Sequence, residues 1–319
     1  MDEAIESSLI EGAAQTRKDA IDLLRSQRPP RSVGERMVVN NFVAMQQIKQ
    51  WLNRPLSTEM LLELQGILTE GTLKDPAEAR RLRRSDETIR VFYEPDDQAI
   101  FTPPPAGLLP ERLSKLCAFA NTTHEGDTFI HPIVKACILH FMIGYEHPFA
   151  DGNGRTARAV FYWHALRHGY TLFEYVPISE RIRHGVSKYP QAFVDCEDDG
   201  GDLTYFILYK LDIIEQSLTV ATAHLKEEEA KIARSERLLR LSKNLNLRQR
   251  LLLEHALRHP RTMYTVKSHA YSNGIRNATA RSDLQGLVRL RLMTTSKRGR
   301  EVIYHPAPTL ATRLAAKSQ

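Results

Sequence analysis

The sequence has few cysteines and no long apolar run, and both shortages restrict the class of protein. The 319 residues include three widely spaced cysteines, Cys117, Cys137 and Cys196, with no CxxC pair. Isolated cysteines in odd number favour buried thiols in a cytoplasmic protein over a disulfide framework or a zinc site. No apolar run approaches the roughly 20 residues of a membrane-spanning helix, and the acidic start MDEAIESS lacks the basic residues of a secretory signal. We therefore predict a cytoplasmic protein with no membrane partner.

Acidic residues are scarce at one end of the chain. Residues 245–319 hold 14 Lys and Arg but only 3 Asp and Glu, a net charge of +11. Residues 1–244 carry a net charge of −5, which gives +6 for the whole chain. This asymmetry indicates two domains that have different partners.

Helical periodicity prevails along the acidic part, so a mainly α fold is expected there. The exception is the stretch 80–105, in which β-branched and aromatic residues flank Pro95, Asp96 and Asp97. That pattern predicts a short β-hairpin, whose exit is stiffened by three prolines at 103–105. Single helices are expected at about 179–196 and 202–217, and the charged stretch 218–244 is predicted to be a connecting helix.

The basic segment 245–319 has the pattern of a winged helix-turn-helix domain. Three helical stretches, with Ser272-Asn273-Gly274 between the last two, precede a hairpin with Lys297, Arg298, Gly299 and Arg300 at its tip. The third helix offers Arg276, Arg281, Arg289 and Arg291, which suit contact with DNA phosphates. A protein-interaction or homodimerisation module on the same scaffold is the open alternative, because fold alone does not settle function.

The segment 147–158 (HPFADGNGRTAR) carries the chemistry. Gly152 and Gly154 permit close backbone approach, and their N–H groups, together with that of Asn153, form an anion nest. A helix starts directly after them and adds its positive end. Arg155 and Arg158 share a face of that helix, and two guanidiniums beside such a nest indicate a polyphosphate.

Two further residues of the segment complete a site for phosphorus chemistry. Asp151 precedes the nest and is suited to a Mg²⁺ ion that bridges phosphates. His147 lies four residues earlier, where its imidazole would take a proton from an incoming hydroxyl. Nucleophile, base, metal and charge clamp are the parts that in-line transfer of a phosphorus group requires.

The segment resembles the motif HxFx(D/E)GNGRxxR of the Fic family, with every fixed position met. The resemblance extends over about residues 2–215 and implies a Fic core that binds ATP and Mg²⁺. It implies that His147 is the catalytic base, that Asp151 ligates Mg²⁺, and that residues 152–158, including Thr156 and Ala157, contact the nucleotide. The hairpin would be a flap that pins the target protein, and Tyr189 resembles an aromatic residue near the nucleoside. A core tyrosine is the equal alternative for Tyr189.

The N-terminal stretch SSLIEG has two interpretations. Ser8 and Glu11 fit a helix capping box. Alternatively, Ser7, Glu11 and Gly12 resemble the inhibitory motif (S/T)xxxE(G/N) of Fic proteins whose inhibitory helix precedes the core. That resemblance implies that Glu11 pairs with Arg158 and holds ATP in an unproductive pose.

The resulting prediction is a protein adenylyltransferase that transfers AMP from ATP to a Tyr, Thr or Ser hydroxyl of a target protein. The predicted domains are residues 1–30 with the inhibitory helix, the Fic core 31–217, the connecting helix 218–244 and the winged domain 245–319. The alternatives are a DNA-binding regulator with a nucleotide-sensing Fic core, and a Fic enzyme that removes AMP or transfers another group.

Overall fold

The computed structural model describes residues 1–13, 16–87, 91–93, 98–185, 187–240, 245–299 and 301–316. The chain divides into two compact units, Met1–Ala221 and Thr222–Gln319. The predicted mainly α fold with a hairpin is confirmed. The helices and strands of the first unit are α1 Asp2–Ile10, α2 Arg17–Ser26, α3 Val33–Gln50, α4 Thr58–Leu68, β1 Val91–Tyr93, β2 Gln98–Phe101, α5 Leu109–Asn121, α6 Pro132–Glu146, α7 Asn153–Arg167, α8 Ile178–His184, α9 Lys188–Asp198 and α10 Thr204–Arg240. Helix α10 continues past the boundary of this unit at Ala221.

Local sequence explains where several of these helices begin. The hydroxyls of Thr16, Ser32 and Ser57 each accept a hydrogen bond from a backbone N–H in the first turn of the helix that follows. Pro132 occupies the first turn of α6, where its missing N–H costs nothing. Such caps satisfy amides that have no intrahelical acceptor.

The core of the first unit is built around α6 and α7, which pack against each other. Nearly every residue of α7 is buried, and Phe161, Tyr162 and Trp163 are fully enclosed. Leu64 of α4 and Ile143 of α6 belong to the same apolar cluster. Two rigid buried helices therefore flank the short loop 147–152 that joins them.

Three predictions about elements need correction or completion. The helix expected at 179–196 is two helices, α8 and α9, because the chain turns at Gly185. The helices expected at 202–217 and 218–244 are one helix, α10. The strands of the hairpin pair antiparallel as predicted, whereas its turn at Pro95, Asp96 and Asp97 lies outside the described residues. The predicted domain boundaries stay predictions.

Besides the end of α10, the second unit contains three helices, an antiparallel hairpin and a C-terminal helix. Leu253, Leu284 and Leu287 are fully buried in its core. The connection between the second and third helices is short, and Gly274 adopts φ +60° there, in the left-handed region that glycine tolerates. The elements are α11 Leu247–Arg258, α12 Val266–Asn273, α13 Asn277–Arg289, β3 Met293–Arg298, β4 Glu301–Pro306 and α14 Leu310–Ala316. The winged-helix assignment stays a prediction, and Arg300 of the expected tip lies outside the described residues.

Two further observations concern the apolar helices and the cysteines. No helix in the described part of the chain combines the length and apolarity that a membrane span requires. Cys117, Cys137 and Cys196 are free, buried thiols.

Candidate active site

His147 ends α6 in an unusual backbone conformation. Its φ of 45° lies in the left-handed region, which a residue with a Cβ enters at a cost of roughly 1 kcal/mol. Nδ1 lies 3.2 Å from the carbonyl oxygen of Gly144. Because a carbonyl only accepts, Nδ1 carries the proton and Nε2 keeps its lone pair.

The electrostatic surroundings keep the imidazole of His147 neutral. Burial is the main cause that lowers its pKa to about 4, and the nearby guanidinium of Arg83 acts in the same direction. The carboxylates of Glu11 and Asp151 oppose this effect. A neutral imidazole is the form that accepts a proton, so His147 is competent as a base at neutral pH.

The loop after His147 is fixed by the side chain of Asn153. Its Oδ1 accepts from the backbone N–H of Phe149, and its Nδ2 donates to the carbonyl of Phe149, each at 2.9 Å. Phe149 itself is fully buried and anchors the loop in the core. Asn153 thus shapes the loop through its side chain, while its backbone N–H lies in the first turn of α7.

The N-terminal turn of α7 has no side-chain cap at its N-cap residue, Gly152. Gly152 precedes the helix with φ +90°, and its N–H donates to Oδ1 of Asp151 at 2.5 Å. A Cβ at Gly154 would lie 2.5 Å from Oε1 of Glu11, so a larger residue there would displace that carboxylate. Thr156 and Ala157 have fully buried side chains, which leaves only their backbone for contact with a ligand.

Arg155 is held in place by the surrounding protein. Its side chain is almost fully buried, and Nη1 donates to the carbonyl of Leu68 at 2.9 Å. Nη2 lies 3.1 and 3.2 Å from the two carboxylate oxygens of Asp151. Asp151 is half exposed. Its carboxylate therefore contacts the buried guanidinium of Arg155 and is also accessible to solvent.

Arg158 contacts the N-terminal helix at three points. Nη2 lies 2.6 Å from Oε1 of Glu11 and 3.2 Å from the carbonyl of Ser7, and Nε donates to Oγ of Ser7 at 2.8 Å. Burial opposes ionisation of Glu11, but Arg158 and Arg155 outweigh it and hold its pKa below the usual value. The pair is therefore ionic at neutral pH.

Ser8 does not cap a helix, because α1 begins six residues earlier. Its Oγ donates to the carbonyl of Ala4 inside α1 and accepts from Asn41 at 2.6 Å. The capping-box interpretation of Ser8 and Glu11 is therefore wrong. Gly12 follows the helix with φ +79° and ends it.

Polar contacts that the sequence did not reveal hold α1 against the core. The buried carboxylate of Glu3 accepts from Oη of Tyr162 at 2.7 Å, from the N–H of Ser179 at 3.0 Å, and from Oγ of Ser179. Glu6 pairs with Arg183 at 2.8 Å. Their partners lie on α7 and α8, so the N-terminal part of α1 is held against both helices.

Arg83 is a second feature that sequence reasoning missed. Its guanidinium donates to the carbonyls of His147 at 2.8 Å, of Glu146 at 3.3 Å and of Pro104. Its backbone N–H donates to the carbonyl of Pro148 at 2.9 Å. Arg83 thereby stabilises the strained backbone at His147, and no local motif marks it.

A cavity of about 200 Å³ opens beside the motif. Glu11, His147, Gly154 and Glu197 line it, together with mainly apolar residues that include Tyr189, Phe193 and Val194. Oη of Tyr189 lies 2.7 Å from Nε2 of His140, which fixes the ring at the cavity wall. The structure therefore brings the predicted residues His147, Gly154, Glu11 and Tyr189 to one cavity.

The residues present suit a magnesium ion only together with a substrate. Among the described residues, no group of three or more His, Cys, Asp or Glu is arranged to hold a metal. Mg²⁺ commonly uses one or two carboxylates, waters and substrate phosphates. The half-exposed carboxylate of Asp151, next to an anion nest, fits that type of site.

Comparisons with known proteins agree with this geometry. Residues 55–165 match the model of the Fic/DOC family. "Protein adenylyltransferase Fic" of Culex quinquefasciatus is 30% identical over 165 residues, which cover 51% of this chain and 29% of that protein. "Protein adenylyltransferase fic-1" of Caenorhabditis elegans is 31% identical over 144 residues, 45% of this chain and 25% of its own length. The matched part thus spans a quarter to a third of these curated relatives.

Solved structures show the same fold. A Fic family protein from Desulfovibrio desulfuricans aligns with a TM-score of 0.66 at 19% identity, over 96% of this chain and 87% of its own. Fic-1 of C. elegans aligns with a TM-score of 0.53 at 23% identity, over 71% of this chain and 63% of its own. In the motif, the loop geometry and the family match, residues 55–165 are thus similar to the Fic/DOC family.

Proposed function

We propose that the protein transfers AMP from ATP to a Tyr, Thr or Ser hydroxyl of a target protein. The observation that carries the proposal is the cavity at which a neutral imidazole, the N-terminal turn of α7 and an apolar wall meet. The relatives named adenylyltransferases support the same class of reaction.

The residues of this chain have separate tasks in the proposed reaction. The N-terminal turn of α7 and the guanidiniums of Arg155 and Arg158 bind the phosphates of ATP. The apolar part of the cavity beside Tyr189 takes the nucleoside. Asp151 would hold a Mg²⁺ ion, which when bound supplies charge neutralisation on the phosphates.

Nε2 of His147 takes the proton of the target hydroxyl as its oxygen attacks the α-phosphorus of ATP. A new oxygen–phosphorus bond forms, the bond from the α-phosphorus to the bridging oxygen breaks, and pyrophosphate leaves. The Nδ1–H bond to the carbonyl of Gly144 holds the tautomer that this step requires. Arg83 keeps the backbone of His147 in position through the carbonyl contact.

We also propose that α1 is inhibitory. The carboxylate of Glu11 already occupies the guanidinium of Arg158 and lies over Gly154, where an anionic phosphate would approach. ATP would then bind without the orientation that Arg158 gives to its terminal phosphate. The relief of this contact is proposed to switch the enzyme on.

The test is transfer of label from α-labelled ATP in the full chain, with His147→Ala as the variant. We expect transfer to fall by about 10³-fold, because a base and its position are lost together. Asparagine tolerates positive φ better than alanine, so His147→Asn controls for damage to the loop. Transfer at a near wild-type rate in both folded variants would refute the base assignment.

A further inference from the structure

The third helix of the second unit presents a basic, polar face that AMP transfer does not use. Asn277, Arg281, Gln285 and Arg289 are spaced by four residues along α13, and all four are exposed. The opposite side of the helix, with Ala280, Leu284 and Leu287, is buried in the core of the unit. This exposed stripe is therefore rigidly presented by a packed helix.

Negative charge is almost absent from this face. The one carboxylate of α13, Asp283, is buried and pairs with Nε of Arg248 at 2.7 Å. Glu254 of α11 pairs with Arg258. The cations Lys267, Arg276, Lys297 and Arg298 are exposed on the neighbouring elements α12, the turn before α13, and β3.

A trough of about 380 Å³ lies along the stripe. Asn277, Arg281 and Gln285 of α13 line the trough. It is also lined by Lys267 of α12 and by Val302 and Tyr304 of β4. Glu301 is the acidic residue that lines it. The remaining polar groups of the trough are hydrogen-bond donors or amides.

We propose that the exposed face of α13, together with β3 and β4, is a docking surface for duplex DNA. A helix of 13 residues is about 20 Å long and fits the major groove of B-DNA. Arginine, asparagine and glutamine are the side chains that pair with the edges of guanine and adenine there. The deep, narrow major groove of duplex RNA excludes such a helix.

The main test measures binding of the full chain to a fluorescent duplex DNA by anisotropy at several salt concentrations. If the protein neutralises four or more phosphates, its affinity for DNA should fall about 10²-fold as salt rises from about 50 to about 200 mM. Arg281→Ala should weaken binding about tenfold and reduce the salt slope by about one. Arg261→Ala removes the same charge from an exposed loop outside the trough and is the matched control.

A second variant removes a negative charge from the trough instead of a positive one. Glu301→Gln removes its acidic group and should strengthen binding several-fold, because a carboxylate facing phosphates is repulsive. AMP transfer by all three variants should equal that of the wild type, so the result is independent of the proposed enzymatic function. Equal losses from Arg281→Ala and Arg261→Ala, no binding at low salt, or equal binding to duplex RNA or to polyglutamate would overturn the proposal.

Discussion

The contact between Glu11 and Arg158 leads to a quantitative prediction for the rate of AMP transfer. The two side chains meet at 2.6 Å; Arg158 is 2% exposed and Glu11 28% exposed. Replacement of Glu11 by alanine removes the carboxylate that would compete with a phosphate for Arg158. We expect Glu11→Ala to raise the rate of self-modification strongly.

The size of the effect follows from the bond that is lost. A hydrogen bond between charged groups contributes about 1.5–3 kcal/mol. With about 1.4 kcal/mol for each factor of ten, the rate should rise about 10- to 100-fold. Ser7→Ala removes one neutral acceptor of Arg158, worth about 1 kcal/mol, so an increase of about fivefold is expected.

The assay is incorporation of label from α-labelled ATP into the protein, with pyrophosphate release measured in parallel. Each variant is also made together with His147→Ala, which should remove the signal. Asp2→Ala is the control on the same helix, because the Asp2–Arg17 pair is about half exposed and worth little. Rates within twofold of the wild type for both Glu11→Ala and Ser7→Ala would refute the proposed inhibitory role of α1.

Two further predictions concern pH and packing. The pKa of His147 is lowered to about 4, so kcat/KM for ATP should stay nearly constant down to about pH 5 and fall as pH drops through about 4. An ordinary imidazole, by contrast, would be only about a quarter neutral at pH 6. A half-maximal point near pH 6.5 in a pH–rate profile would contradict the prediction. Gly144→Ala should lower the free energy of unfolding by about 1–3 kcal/mol, because the new Cβ would lie 2.8 Å from Cζ of Phe193. Denaturant titration measures the loss, and Gly107→Ala, with nothing within 4 Å of its Cβ, should cost almost nothing.

The sequence predicted the parts of the site that are local in the chain. The segment 147–158 contains its own loop, helix start and arginines, and the helix at its glycines was correctly predicted. The glycines and Asn153 define the loop through contacts only a few residues apart. Short-range geometry of this kind is encoded in residue types and spacing.

Contacts between residues far apart in the chain could not be predicted from residue types and spacing. Arg83 supports the carbonyl of His147 across 64 residues, and Glu3 meets Ser179 across 176 residues. Nothing in the pattern around Arg83 or Glu3 differs from that of a solvated charge, so only the packed fold shows that they are enclosed. The positive φ of His147 is likewise set by its neighbours in space, since histidine does not favour it.

The geometry at Gly154 indicates what kind of inhibition α1 would exert. Gly154 has no Cβ, so Oε1 of Glu11 can lie against the first turn of α7. The same space would let a phosphate approach that turn. A carboxylate and a phosphate are both anions that favour a helix N-terminus and a guanidinium, so they compete for the same groups. Inhibition by Glu11 would then be local displacement at the phosphate site. A signal that activates the protein would have to move Glu11 away from Arg158, against the contacts that hold α1 to α7 and α8.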